Sequence, residues 1–293
     1  MKQLNAAKIA VVVPVFDRFE SISRLIEVLA GQSDDVSFVI VDHGTSDYKP
    51  SLDVVERVEV VRRSPELWFT GALNEGLRHV LKHRDDVSDV LIVNDDITIE
   101  DDDWLRKLQS HLSSRTMVSC MAVDNQQRVL YAGLRFCRFR CQYLRLEQGS
   151  VASELTQVVY TCDALPTRTL LVRKEVIQEV GLLNAKALPH YASDYEWTAR
   201  AKRYGIELLM ITSTAVQTEM ATRNKMGRTK IYPKPKLRNF WREALDPRVQ
   251  GSFPNTFHLA RLTQSLPYAL YQTGMRLSAK IVGFICSNYL RSP

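Results

Sequence analysis

The sequence predicts an α/β protein: a mostly parallel central sheet with helices on both faces, followed by a basic, mainly helical C-terminal extension. Three observations carry that expectation. Apolar, β-branched runs alternate with helical patterns over residues 1–112, the rhythm of a sheet covered on both faces. The first run, KIAVVVPV at residues 8–15, is apolar almost throughout, as a strand buried on both faces must be. The charge is split. Residues 221–293 hold 13 Lys and Arg against Glu243 and Asp246, +11, while residues 1–220 hold 26 against 31 acids, −5.

The elements follow in order. After the strand at 8–15, residues 21–30 read as a helix with Ile22, Leu25, Ile26 and Leu29 on one face, closed by Gly31. Strands are expected at 36–41 and 58–61. A helix over 71–81 groups Leu73, Leu77, Val80 and Leu81. A strand at 90–93 precedes a helix at 101–112, whose acidic first turn suits the helix dipole. From about 115 to 175 short β-prone pieces alternate with turns, at 116–123, 129–136, 158–162 and 169–172. Helices are expected at 174–180, ended by Gly181, and at 193–204, ended by Gly205, then a strand at 206–211. The tail is broken by Pro233, Pro235, Pro247, Pro254 and Pro267, with helices at 237–245 and 268–289.

Composition narrows the class. A chain of 293 residues, 45% hydrophobic and 25% charged, buries a large core without staples, so disordered, collagen-like and disulfide-scaffold readings are out. Five cysteines lie scattered, only Cys137 and Cys141 being close, so neither a zinc site nor a disulfide framework is expected. A reducing cytosol is the expected compartment. No uncharged apolar stretch of membrane-spanning length occurs, and the N-terminal run lacks a signal-peptide cleavage pattern.

In an open α/β sheet, ligands bind beyond the carboxyl ends of the strands. Three such ends deliver acids: Phe16-Asp17-Arg18, Asp42-His43-Gly44-Thr45-Ser46-Asp47 and Asn94-Asp95-Asp96. Any one of these reads first as a solvated or capping loop. Together they point to a site. Hard oxygen ligands after the 90–93 strand suit Mg²⁺ or Mn²⁺ completed by substrate phosphates. Asp194 and Glu196 open the 193–204 helix two residues apart, so they face different sides. One of them is a candidate general base, although a helix N-terminal acid is the simpler reading. No P-loop, no Gly-x-Gly-x-x-Gly after the first strand and no Gly-x-Ser-x-Gly elbow occurs, which takes the main support from P-loop kinases and dinucleotide dehydrogenases and weakens a serine hydrolase reading.

Five segments, in order over residues 7–220, together resemble a family 2 glycosyltransferase with the GT-A (nucleotide-diphospho-sugar transferase) fold. Val11–Arg18 resembles the opening V-I-P-V-Y-N-R strand and turn, and Val39–Asp47 the I-V-V-D-N-G-S-T-D segment. Leu67–Gly76 resembles the G-x-x-x-A-x-N-x-G helix start, and Leu91–Asp96 the D-x-D segment. Leu188–Trp197 resembles the late acidic motif that holds the base. The subgroup most similar comprises rhamnosyltransferase-like enzymes of bacterial surface polysaccharides.

The resemblance implies a division and roles. Residues 1–112 would be the nucleotide-sugar half, 113–220 the acceptor and catalytic half, and 221–293 the extension. Asp42 would bind the imide of uracil or thymine, and Pro14, Phe16 and Arg18 would line base and ribose. Asn74, Asn94 and Asp95 would also contact the nucleotide-sugar. Asp96, with Asn94, would hold Mn²⁺ or Mg²⁺ on the diphosphate. Asp194 would deprotonate the acceptor hydroxyl, inverting the anomeric carbon. Trp68, Asp163, His190, Tyr191 and Glu196 are secondary sugar or acceptor candidates, Trp68 reading first as core. The implied activity moves a hexose or deoxyhexose from a UDP- or dTDP-sugar to a glycan or lipid-linked acceptor, in the cytoplasm or at the inner membrane face. The alternative is a non-catalytic sugar-nucleotide binder or scaffold; a nucleotidyltransferase ranks last.

Two departures bear on the metal. Asn94 is a weaker ligand than the usual acid, and Gln217 stands where many relatives have histidine. His190 is the substitute, although packing explains it more simply. The 268–289 helix reads first as packing on the domain or on a second copy, and second as lying on an anionic membrane. Nucleic acid is not an expected partner, because no aromatic-interleaved basic groove occurs.

Overall fold

In the computed structural model, which describes residues 9–50, 55–140, 142–218, 237–249 and 251–286, the first apolar run forms β1 (Ile9–Val15). Its side chains alternate between the two cores. Ala10 and Val12 join one hydrophobic cluster, and Ile9, Val11, Val13 and Val15 join the other. Every residue of β1 is buried, as the uninterrupted apolar run requires.

The other strands of the main sheet are β2 (Val36–Asp42), β3 (Val58–Arg62), β4 (Asp89–Val93), β5 (Ile97–Thr98), β6 (Thr116–Val123), β7 (Val129–Tyr131), β10 (Val159–Thr161), β11 (Thr169–Arg173) and β12 (Glu207–Thr218). Their order is β10-β12-β6-β11-β4-β1-β2-β3, with β5 on β12 and β7 on β6. β1, β2, β3 and β4 are parallel, as are β6 and β12. β11 runs antiparallel to both β4 and β6, so the sheet is mixed at its centre. A separate hairpin joins β8 (Leu134–Cys137) and β9 (Gln142–Arg145).

Helices cover both faces. α1 (Phe19–Gln32) and α3 (Trp104–Gln109) pack on one face, while α2 (Trp68–His83), α4 (Lys174–Val180) and α5 (Ser193–Arg203) pack on the other. α1 has no side-chain N-cap; it buries Ile22, Leu25, Ile26 and Leu29. Four such side chains contribute about 6–12 kcal/mol gross. A cap adds only about 1 kcal/mol, so burial holds this helix.

Several boundaries differ from the sequence expectation, each for a local reason. α1 runs past Gly31 because Gln32 pins it: its amide donates to the Asp101 carbonyl (2.9 Å) and accepts from Leu105 N–H (2.9 Å). α3 is shorter than expected and starts after its acids. Asp101 is spent on Lys107 (2.6 Å) and Thr214 (2.5 Å). The strand expected at 129–136 is two strands, split where Gly133 turns with φ +91°. β12 runs to Thr218, because a register shift between Ile211 and Ala215 lets it continue beside β6. β5, β9 and α7 (Phe253–Thr263) were not expected. Pro254 and Pro267 do not break the tail. Each sits in the first turn of a helix, α7 and α8 (Leu266–Ile285), where no amide donor is needed. With α6 (Leu237–Leu245) these form the extension. Lys8, Cys141, Pro233, Pro235 and the end of the 268–289 helix lie outside the described residues.

α2 approaches the sheet closely at Gly76. A Cβ there would stand 2.5 Å from Val12 Cγ1 and 2.8 Å from Val41 Cγ2. Gly76→Ala is therefore expected to destabilise by about 1–3 kcal/mol. Gly31→Ala meets nothing within 4 Å and should stabilise by up to about 1 kcal/mol. Chemical denaturation of the two variants checks both signs.

Candidate functional site

β1, β2 and β4 all end at one edge of the sheet, and β11, running the other way, begins there. A cavity of about 1150 Å³ opens at this edge. Pro14, Phe16 and Arg18 reach it from the end of β1, His43 from β2, and Asn94, Asp95 and Asp96 from β4. Thr167 and Arg168 reach it from the start of β11, and Thr218 from the end of β12. His190, Tyr191, Ala192, Asp194 and Tyr195 form the wall around the start of α5.

The two acids after Asn94 each meet an arginine. Arg18 lies 3.5 Å from Asp95 and Arg168 lies 3.3 Å from Asp96. Burial pushes the Asp95 carboxyl up to about 6, against the pull of Arg18. Arg168 also donates to the Thr218 hydroxyl (2.5 Å), and that hydroxyl reaches the Asp96 carbonyl (3.2 Å). Asn94 N–H donates to the Arg168 carbonyl (3.1 Å), while Asn94 Oδ1 is buried without a partner. Arg168 thus ties the acidic turn to the ends of β11 and β12.

Asp194 lines the same cavity. Burial pushes its carboxyl up to about 7, opposed by the backbone N–H of Tyr195 and by Arg168. Its position is built from below. Thr70 donates from its hydroxyl to the Leu188 carbonyl (2.8 Å), sits 2.8 Å from the Ser193 hydroxyl, and sends its N–H to the Pro189 carbonyl (3.1 Å). The start of α2 therefore fixes the loop that enters α5. Two non-glycine residues there have left-handed backbones, Trp68 (φ +55°) and Ala192 (φ +68°), and both line the cavity. Such strain collects where surrounding structure holds a site in place.

Of the candidates read from the sequence, Pro14, Phe16, Arg18, Trp68, Asn94, Asp95, Asp96, His190, Tyr191 and Asp194 come together here. Trp68 is a correction: it is half-buried on the cavity wall, with His190 edge-on at 6.2 Å and the Arg248 guanidinium 5.8 Å over its ring. The core tryptophans are Trp104 and Trp197. His190 packs edge-on against Tyr191 at 4.5 Å. Burial pulls its imidazole down to about 4, so it is neutral at pH 7.

Asp42, Asn74, Asp163 and Glu196 lie off the cavity wall. Asp42 is fully buried and accepts from Gly44 N–H (3.1 Å), Tyr48 N–H (2.8 Å) and the Arg62 guanidinium (2.7 Å), holding the 42–48 turn. Its neighbour His43 faces the cavity instead, with Phe16 edge-on at 5.4 Å. Asn74 clasps the backbone of Leu183 from both sides, at 2.8 and 3.0 Å. Asp163 holds Lys202 (2.5 Å) and Phe136 N–H (2.8 Å), and Glu196 pairs with Arg200 (2.9 Å). Gln217 turns to Glu100 (2.7 Å), and its strand neighbour Thr218 takes the inward face.

The sequence reading missed Arg168, Thr218, Tyr131, Arg145, Arg248 and Arg276, all on the cavity wall. Arg168 carries no motif of its own. Only the reversed direction of β11 brings it beside Asp96.

The donor set bears on the divalent metal. No cluster of three His, Cys, Asp or Glu ligands occurs among the described residues. Asp96 and the unpartnered Oδ1 of Asn94 do fit a hard cation that takes its remaining ligands from phosphate oxygens.

Residues 10–150, just under half of the chain, match the family described as Glycosyl transferase family 2. Among solved structures, the fold is similar to the crystal structure of GalNAc-T7 with UDP, GalNAc and Mn²⁺, with a TM-score of 0.57 and 12% sequence identity. That match covers 96% of this chain and 57% of GalNAc-T7, so the chain spans little more than half of its structural relative. No curated protein matches the chain. Residues 10–150 are thus similar to the glycosyl transferase family 2 model, and the likeness to GalNAc-T7 shows a GT-A fold for the chain.

Proposed function

We propose that the protein is an inverting glycosyltransferase that moves a hexose or deoxyhexose from a UDP- or dTDP-sugar to a hydroxyl of a glycan or lipid-linked acceptor, in cell-surface polysaccharide synthesis. One observation carries the reading: Asn94, Asp95 and Asp96 share a single cavity with Asp194, whose carboxyl titrates near neutrality.

In this reading the nucleotide lies along Pro14, Phe16, Arg18 and His43, and its diphosphate reaches the turn after β4. Asp96 and Asn94 would hold Mg²⁺ or Mn²⁺ there, which would neutralise charge on the departing diphosphate. Arg18 and Arg168 add fixed positive charge beside that group. Asp194 takes the proton of the acceptor hydroxyl, whose oxygen attacks the anomeric carbon opposite the leaving diphosphate. The C1–O bond to the diphosphate breaks as the new glycosidic bond forms. A base near 7 is ionised often enough to act and is strong enough to accept the proton. Trp68 and Tyr191 offer aromatic faces to a sugar ring.

Thermal unfolding against UDP, dTDP, GDP and CMP, with and without Mn²⁺, tests the donor site. Ligand at a hundred times its dissociation constant adds about 2.7 kcal/mol. A stabilisation by UDP or dTDP that Mn²⁺ enhances is expected; no response to any of the four overturns the donor assignment.

Asp194 predicts two pH effects. Activity should rise with pH through about 7, as the carboxyl ionises. Stability should move the opposite way. A folded pKa raised from 3.8 to about 7 contributes stability that is full below 3.8 and lost as pH rises through 7. Asp194→Asn mimics the neutral acid, so it should melt higher than the wild type at pH 8, with the gap closing toward pH 4. Melting curves across that window check the sign.

A further inference from the structure

α8 has two unlike faces. One packs against α7 and carries Gln272 and Arg276 into the cavity wall. The other is open. Leu266, Leu270, Tyr271, Met275, Val282 and Ile285 on it are 45–60% exposed. No exposed position of α8 is charged. Its two cations turn inward: Arg276 lies against Gly251, and Lys280 Nζ stands 5.5 Å over the Phe253 ring. At 20 residues the helix is about 30 Å long. α6 extends the patch, because Phe240 packs on Phe284 at 5.1 Å and leaves Trp241 and Leu245 41% and 55% exposed. Large apolar side chains so exposed along one uncharged helix face mark an interaction surface.

We propose that this face of α6 and α8 seats on an anionic lipid bilayer, lying in its interface rather than crossing it. No helix among the described residues is long and apolar enough to cross a membrane. Charge selects the occupant. Residues 221–293 carry 13 basic residues against two acidic ones, +11, with Arg242 and Arg261 exposed on the helices beside the patch. A second copy would bring a second basic extension of +11 against the first, whereas anionic headgroups complement that charge. Trp241 and Tyr271 are side chains that favour the headgroup level. One helix diameter, about 10 Å, would then separate the bilayer from the cavity wall. This proposal stands apart from the transfer reading, since docking needs no turnover.

Co-sedimentation with vesicles of phosphatidylcholine containing about 30% phosphatidylglycerol tests it. The wild type should pellet with them, bind pure phosphatidylcholine at least about tenfold more weakly, and be released by salt. Leu270→Glu, Met275→Glu and Val282→Glu together should cut anionic binding by about tenfold or more, with the melting temperature kept. Should that variant fail to fold, brominated acyl chains decide: they should quench wild-type tryptophan emission and lose that effect in Trp241→Phe. The proposal is overturned if the wild type ignores anionic vesicles, if the charged variant binds as well as wild type, or if Trp241 is not quenched. It is also overturned if light scattering shows a dimer that the variant dissociates, without vesicle binding. Failure here leaves the nucleotide response untouched, so the two readings fail separately.

Discussion

The antiparallel seating of β11 between β4 and β6 decides what reaches the acidic end of the sheet. A parallel strand there would deliver its carboxyl end, Arg173 and the start of α4. The reversed strand delivers Thr167 and Arg168 instead, beside Asn94–Asp96. Arg168 then meets Asp96 and Thr218, and its carbonyl holds the Asn94 amide. β12, parallel to β6, ends at the same edge with Thr218. Much of the cavity floor follows from that one strand direction.

Electrostatics divides the site into two parts. Asp95 and Asp96 each face a guanidinium, which leaves fixed positive charge next to them, while burial pushes the Asp95 carboxyl up to about 6. Asp194 has no cation in ion-pair contact among the described residues, and burial holds its carboxyl near neutrality. Holding Asp194 in place falls to Thr70 at the start of α2, which hydrogen-bonds Leu188 and Pro189, more than a hundred residues away in sequence.

Strands, helices and the Asn94–Asp96 turn were legible in the sequence because each depends on local pattern. β1 is apolar at every buried position, α1 shows its four-residue stripe, and Asp194 opens a helix. Lateral pairing was not legible. Asp42 looked like a ligand-facing acid, yet Arg62 on β3 and the turn to Tyr48 use its oxygens. Asn74 looked like a nucleotide contact, yet it clasps Leu183, more than a hundred residues away. Gln217 occupied the position read as metal-binding, and strand alternation gave that direction to Thr218. Trp68 read as core because aromatic residues usually are, whereas its backbone at φ +55° sets it on the cavity wall. Pro254 and Pro267 read as breaks in the tail and proved to be helix starts.

The account rests on Asp194 as the proton acceptor in the cavity that Asn94, Asp95 and Asp96 share. The most direct test is released nucleotide from the donor that stabilises the protein, measured for wild type and Asp194→Asn. The account predicts a fall of about 10²–10⁴ in kcat with nucleotide binding retained. An Asp194→Asn enzyme that turns over within twofold of wild type would contradict it.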